Sequence, residues 1–151
     1  MSFADLGLRP QIIRALEENN YTQASEIQKQ AIPAIASGKD VIACAPTGTG
    51  KTAAFSLPLL ERITSAGEKW RKTTVLILSP TRELATQIAS NIEQYSKYLP
   101  VRCTVVFGGV NKDKQDRALK KGVHILVATP GRLLDHLRQR TVDLRGVETF
   151  I

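Results

Sequence analysis

The chain has 151 residues, 42% of them apolar, which suits a single globular domain with a sizeable core. Its formal charge of +7 and isoelectric point near 9.7 favour a polyanionic partner, because clustered Lys and Arg displace the counterions condensed on phosphate backbones; a solvated basic surface gives the same sum. Met1-Ser2-Phe3-Ala4-Asp5 has neither a basic nor an apolar leader region, and no apolar run reaches the ~18 residues of a membrane span, so the expectation is a soluble cytoplasmic chain with no membrane partner.

In chain order, Arg9–Asn19 and Ser25–Ala36 carry apolar residues at helical spacing (Ile12, Ile13 and Leu16; Ile27, Ala31, Ile32 and Ile35), with Gly38 as a stop after the second. Val41–Ala45 is a short apolar run expected as the first strand. It ends in Pro46-Thr47-Gly48-Thr49-Gly50, and Lys51–Thr64 reads as a helix. Ser65–Lys72 reads as an exposed basic loop. Strand-like runs follow at Val75–Ser79, Arg102–Phe107, Val123–Ala128 and Val147–Ile151, and helices at Thr81–Leu99, Asn111–Lys121 and Arg132–Arg138. Cys44 and Cys103 fall in two different runs without C-x-x-C pairing, so both are expected to be buried, reduced thiols rather than a disulfide or zinc ligands.

Strand, turn and helix in repeated alternation build a parallel sheet flanked by helices. Ligands of such sheets bind beyond the carboxyl ends of the strands, and the breaker-rich turns here all fall at those ends.

Ala45-Pro46-Thr47-Gly48-Thr49-Gly50-Lys51-Thr52 fits the phosphate-loop pattern except at its first position, where Ala45 stands for glycine. A turn that opens a helix aims backbone N–H groups and the helix dipole at an anion. Gly48 and Gly50 let the loop curl and let phosphate approach without a Cβ in the way. Lys51 is expected to reach the β- and γ-phosphates of ATP or ADP, and the Thr52 hydroxyl to complete a Mg2+ shell. These two are the candidate catalytic residues.

Together with three further segments, the phosphate loop makes the chain resemble the DEAD-box RNA helicases, bacterial type, over nearly its whole length. The segments are Pro80-Thr81-Arg82-Glu83-Leu84, Gly108-Gly109 and Thr129-Pro130-Gly131-Arg132. The resemblance implies the first RecA-like P-loop NTPase domain of an ATP-dependent RNA helicase, an α/β fold incomplete at its C-terminus. Residues 1–38 would form N-terminal helices with the adenine-recognition element, and 39–151 the partial ATPase domain. It identifies the adenine-reading element with Asn20–Gln28, with Ala24 and Asn20 standing where proline and glycine are common. Gln28 would hydrogen-bond the adenine edge, Gln23 belongs to the same element, and Phe3 and Tyr21 would supply apolar surface around the base. Thr81 and Thr129 at helix starts, with Arg82 and Arg132, suit phosphate oxygens, and Gly108 and Gly109 allow a sugar-phosphate chain to come close. With aromatics at 5%, binding to the RNA backbone without strong base preference is expected. Glu83, in the first turn of a helix, reads as a dipole complement or brace, and His124 and His136 are assigned no chemistry.

Hydrolysis in the family depends on an Asp-Glu pair after the next strand, on a Ser-Ala-Thr motif and on a second RecA-like domain with arginine fingers. The 151 residues contain no Asp-Glu dipeptide. The expectation is therefore a part of a larger enzyme that binds nucleotide weakly and does not turn it over. The alternatives are a non-catalytic nucleotide- or RNA-binding module and another P-loop NTPase such as a small kinase or GTPase.

Overall fold

The computed structural model describes residues 1–67 and 72–151; of the basic loop expected over Ser65–Lys72, residues 68–71 lie outside the described residues. The chain forms two compact units, Met1–Ala66 with Asn91–Pro100, and Gly67–Ser90 with Val101–Ile151.

The first unit is helical. A 3-10 turn at Phe3–Leu6 precedes α1 (Pro10–Glu18), which begins with proline at its first position, where the missing N–H costs nothing and φ is already set. Ile12, Ala15 and Leu16 recur at three- and four-residue spacing and are fully buried. A capping box between Ser25 and Gln28 starts α2 (Glu26–Ala36). Its end is closed by Gly38 at φ 81, whose N–H reaches the Ile35 carbonyl at 2.9 Å while Lys39 N–H reaches Ala34 at 3.1 Å. α3 (Lys51–Ser65) buries Ala53, Ala54, Leu57, Leu59, Leu60 and Ile63. The Arg9 guanidinium and its own backbone N–H both grip the Glu61 carboxylate, with the closest ion-pair distance 2.7 Å. This holds Glu61 below the usual carboxyl range.

The Val41–Ala45 run is not a strand. Residues 41–44 are exposed, Ile42 at 96%, Ala45 is half-buried, and among the described residues no strand pairs with the run. An apolar run becomes a strand only when its N–H and C=O groups find a ladder, and here they find none. Cys44 is consequently exposed rather than buried, whereas Cys103 lies half-buried in the sheet.

The second unit holds that sheet: β1 (Val75–Leu78), β2 (Cys103–Val106), β3 (Ile125–Ala128) and β4 (Thr149–Phe150). All are parallel, in the order β2-β3-β1-β4, with Val75 opposite Ile125 and Thr149, and Cys103 opposite Ile125. Every residue of β3 is buried, as a central parallel strand requires. Leu76, Val106, Val123, Leu126, Ala128 and Leu133 form a core cluster, flanked by Leu78, Leu119, Val142, Leu144 and Val147. The helices between the strands are α4 (Arg82–Tyr95), α5 (Lys112–Lys120) and α6 (Pro130–Arg138). The helix expected to reach Leu99 ends at Tyr95. Pro100 disfavours helical backbone at the residue before it, and residues 96–99 close as separate turns, Lys97 N–H to Gln94 and Leu99 N–H to Ser96.

Candidate functional site

In the first unit, the phosphate-loop residues form a turn on the N-terminus of α3. Gly48 and Gly50 both have φ 84, a left-handed geometry that side chains resist. A Cβ on Gly50 would stand 2.2 Å from Gln28 Nε2, so any side chain there, besides its strained φ, would have to displace the Gln28 amide. The Thr49 hydroxyl donates to the Pro46 carbonyl at 2.7 Å and closes the turn. The Lys51 ammonium donates to the carbonyls of Ala45 and Pro46, folding its charge back onto the loop. Thr52 occupies the second position of α3, and Thr47 lies exposed at the tip.

Gln28 is 3% exposed and braces this loop. Its Oε1 accepts from Ser25 N–H at 2.9 Å and its Nε2 donates to the Gly50 carbonyl at 3.2 Å, while the Ser25 hydroxyl donates to the Thr49 carbonyl at 2.7 Å. The adenine-element candidate and the phosphate loop are thus one hydrogen-bonded assembly. Tyr21 stands edge-on to Tyr95 with ring centroids 6.0 Å apart. Burial, followed by the Tyr21 hydroxyl, pushes the Tyr95 phenol up. Phe3 is 3% exposed within its 3-10 turn, and Gln23 is exposed.

The second unit gathers the other candidates. The loops after β1, β2 and β3 leave the carboxyl ends of parallel neighbours and so share one sheet edge. The Thr81 hydroxyl accepts from Leu84 N–H at 3.2 Å and caps α4, in whose first turn Glu83 lies. Thr129 is the N-cap residue of α6 but makes no side-chain cap bond, and Pro130 and Gly131 are exposed beside it. Two arginines connect the three loops. Arg82 lies over the Phe107 ring, its guanidinium carbon 4.7 Å from the centroid, and a Cβ on Gly109 would stand 3.7 Å from the Arg82 NH1 nitrogen. Arg132 donates two long bonds, both 3.4 Å, to the Val110 carbonyl and a third, 3.3 Å, to Gln115 Oε1. Gly108 and Gly109 stay exposed, as does Pro80 after β1.

Reasoning from sequence missed Gln115 and His136, both buried. Gln115 lies one helical turn from Leu119, so a polar residue in the apolar stripe of α5 was the available signal. His124, assigned no chemistry, accepts from Arg102 N–H at 3.0 Å and fixes the start of β2.

A parallel α/β sheet with its irregular loops at the strand ends, in a chain that carries a phosphate-loop turn, defines a RecA-like α/β domain. The family profile described as DEAD/DEAH box helicase matches residues 25–151, and the chain belongs to that family. The chain is 48% identical to the ATP-dependent RNA helicase DeaD of Klebsiella pneumoniae, over 99% of this chain and 23% of that protein. It is 46% identical to DeaD of Escherichia coli strain K12 (99% and 24%) and 41% identical to the DEAD-box ATP-dependent RNA helicase CshA of Bacillus cereus (99% and 28%). It therefore spans about a quarter of the length of these relatives. Among the described residues no helix is long and apolar enough to cross a membrane.

Proposed function

We propose that the chain is the nucleotide- and RNA-binding part of an ATP-dependent RNA helicase: its phosphate loop takes an adenine nucleotide, and the loops after β1, β2 and β3 take the RNA sugar-phosphate backbone. The observation that carries the reading is the joining of Gln28 to Gly50 and of Ser25 to Thr49, because it makes the base-reading candidate and the phosphate cradle a single unit. The relatives named above as ATP-dependent RNA helicases support the same activity.

The residues fit the ligand they would hold. Positive φ at Gly48 and Gly50 keeps the cradle free of Cβ atoms, and the N-terminus of α3 opens directly from it. Lys51 would leave the Ala45 and Pro46 carbonyls for the phosphates, exchanging neutral acceptors for charged ones. Thr52 would hold Mg2+, which supplies charge neutralisation between the phosphates when bound. An amide has two donors and two acceptor lone pairs, so Gln28 has one of each beyond its bonds to Ser25 and Gly50, the pair an adenine edge needs. On the RNA side, Arg82 and Arg132 present charge around exposed Gly108 and Gly109, a surface for phosphates rather than bases. The chain's own contribution is binding, since it contains no Asp-Glu pair to orient the attacking water. Hydrolysis then requires groups of the second RecA-like domain and of the Asp-Glu-Ala-Asp motif that the resemblance implies for the whole enzyme.

Competition of ADP and GDP for a labelled adenine nucleotide tests the site. ADP should compete at least about tenfold better, the discrimination expected when buried polar groups lose their partners, and Lys51→Ala should abolish binding of both. Equal competition by GDP would remove the adenine role of Gln28.

A further inference from the structure

The polar cluster under the RNA-facing loops fixes the orientation of one buried amide. Gln115, 7% exposed, points its Nε2 at the Phe107 carbonyl (3.0 Å) and its Oε1 at Arg132 NH1 (3.3 Å) and at His136 Nε2 (3.1 Å). A carbonyl only accepts and a guanidinium only donates, so the amide cannot be flipped. Oε1 then has lone pairs alone to offer, which obliges His136 Nε2 to carry a hydrogen. Nδ1 lies 2.7 Å from the Thr141 hydroxyl, which itself donates to the His136 carbonyl at 3.1 Å, and 3.3 Å from Asp116 Oδ1. Burial pushes the His136 pKa below its ordinary value, Lys112 and Arg132 adding to that and Asp116 and Asp135 opposing it.

One side chain thereby touches two of the three loops. Through Nε2 it anchors the end of β2 at Phe107, just before Gly108-Gly109, and through Oε1 it helps to aim the guanidinium of Arg132, which in turn holds the Val110 carbonyl beyond those glycines. We propose that Gln115, locked by His136, is the positioning residue of the RNA clamp: it sets Arg132 and the Gly108-Gly109 loop in one arrangement before RNA arrives. The inference rests on the RNA-binding reading given above. The physical advantage is preorganisation. An arginine on a surface loop loses rotamer freedom when it grips a phosphate, and a guanidinium already held in place loses less.

The test uses the full-length protein that carries this chain, a labelled oligouridine RNA, and the variants Gln115→Met and Arg132→Gln. Methionine keeps the length of the side chain and removes its amide. Gln115→Met should weaken RNA binding about tenfold while nucleotide affinity changes less than about twofold, and adding it to Arg132→Gln should weaken RNA binding by less than about twofold more, because both act through one guanidinium. Normal RNA binding by Gln115→Met alongside a defect in Arg132→Gln overturns the inference and leaves the RNA-binding reading standing. Normal binding by Arg132→Gln removes that reading and the inference with it. Parallel loss of RNA binding, nucleotide binding and melting temperature in Gln115→Met shows a merely structural role and also overturns it. The unsubstituted protein gives an independent check that needs no variant to fold. The 15N signals of His136 should show Nε2 protonated, and an unprotonated Nε2 contradicts the lock.

Discussion

At the scale of single residues, Gly50 links the two halves of the proposed nucleotide site. Its φ of 84 permits the turn, and its missing Cβ makes room for the Gln28 amide. Gly50→Ala should therefore destabilise the chain by about 1–2 kcal/mol from the left-handed backbone alone. It should also weaken nucleotide binding by more than about tenfold, because Gln28 has to move off the loop. Thermal melting and nucleotide titration read the two effects; an alanine variant with unchanged affinity would show that the Gln28–Gly50 bond is incidental. The glycines and Lys51 were legible in the sequence because spacing alone carries the phosphate-loop pattern. The internal use of Gln28 was not: an amide on a helix reads as exposed and polar until the loop 22 residues away is placed against it. Gln115 and His136 stayed hidden for the same reason, since their partners come from 8 to 21 residues away.

At the scale of elements, the clearest coupling in the helical unit is between Arg9, at the N-cap of α1, and Glu61 of α3. The Arg9 side chain, followed by its backbone N–H, holds the Glu61 carboxyl below its ordinary value of 4.5. A folded-state pKa below the unfolded one stabilises the fold above the unfolded value and is lost as pH falls through the folded one. Stability should thus fall as the medium is acidified below about pH 4.5, and Glu61→Gln should flatten that part of the profile while costing about 1 kcal/mol at neutral pH, the pair being part-exposed and screened. Denaturant titrations from pH 3 to 7 decide it; identical slopes in the two proteins would contradict the assignment. Elements whose signal is local were readable in advance: the capped helices, and the continuous apolar runs of β1 and β3. Val41–Ala45 was not, because a strand is a property of two segments and the run carries no record of whether its ladder partner is present. Pro100 bars helical backbone at Leu99 but does not account for an end four residues earlier at Tyr95, which the periodic run of apolar residues does not mark.

For the molecule as a whole, each unit carries one of the two proposed binding functions: the phosphate loop and Gln28 lie in the first, and the loops tied by Arg82 and Arg132 in the second. Net charge of +7 fits a polyanionic ligand but selects none; the pattern of charged side chains around bare glycines is what favours a phosphate backbone over a sequence of bases. The most direct measurement is the affinity of the full-length protein that carries this chain for labelled single-stranded RNAs of different sequence, with adenine nucleotide present, across a range of salt. Oligouridine and oligoadenosine should bind with affinities within about threefold of one another and lose affinity steeply as salt rises. Arg82→Gln and Arg132→Gln should each weaken both RNAs about equally and make the salt dependence shallower. Affinity that is indifferent to both substitutions, or that is set by base identity, would contradict the assignment of these loops to the RNA backbone.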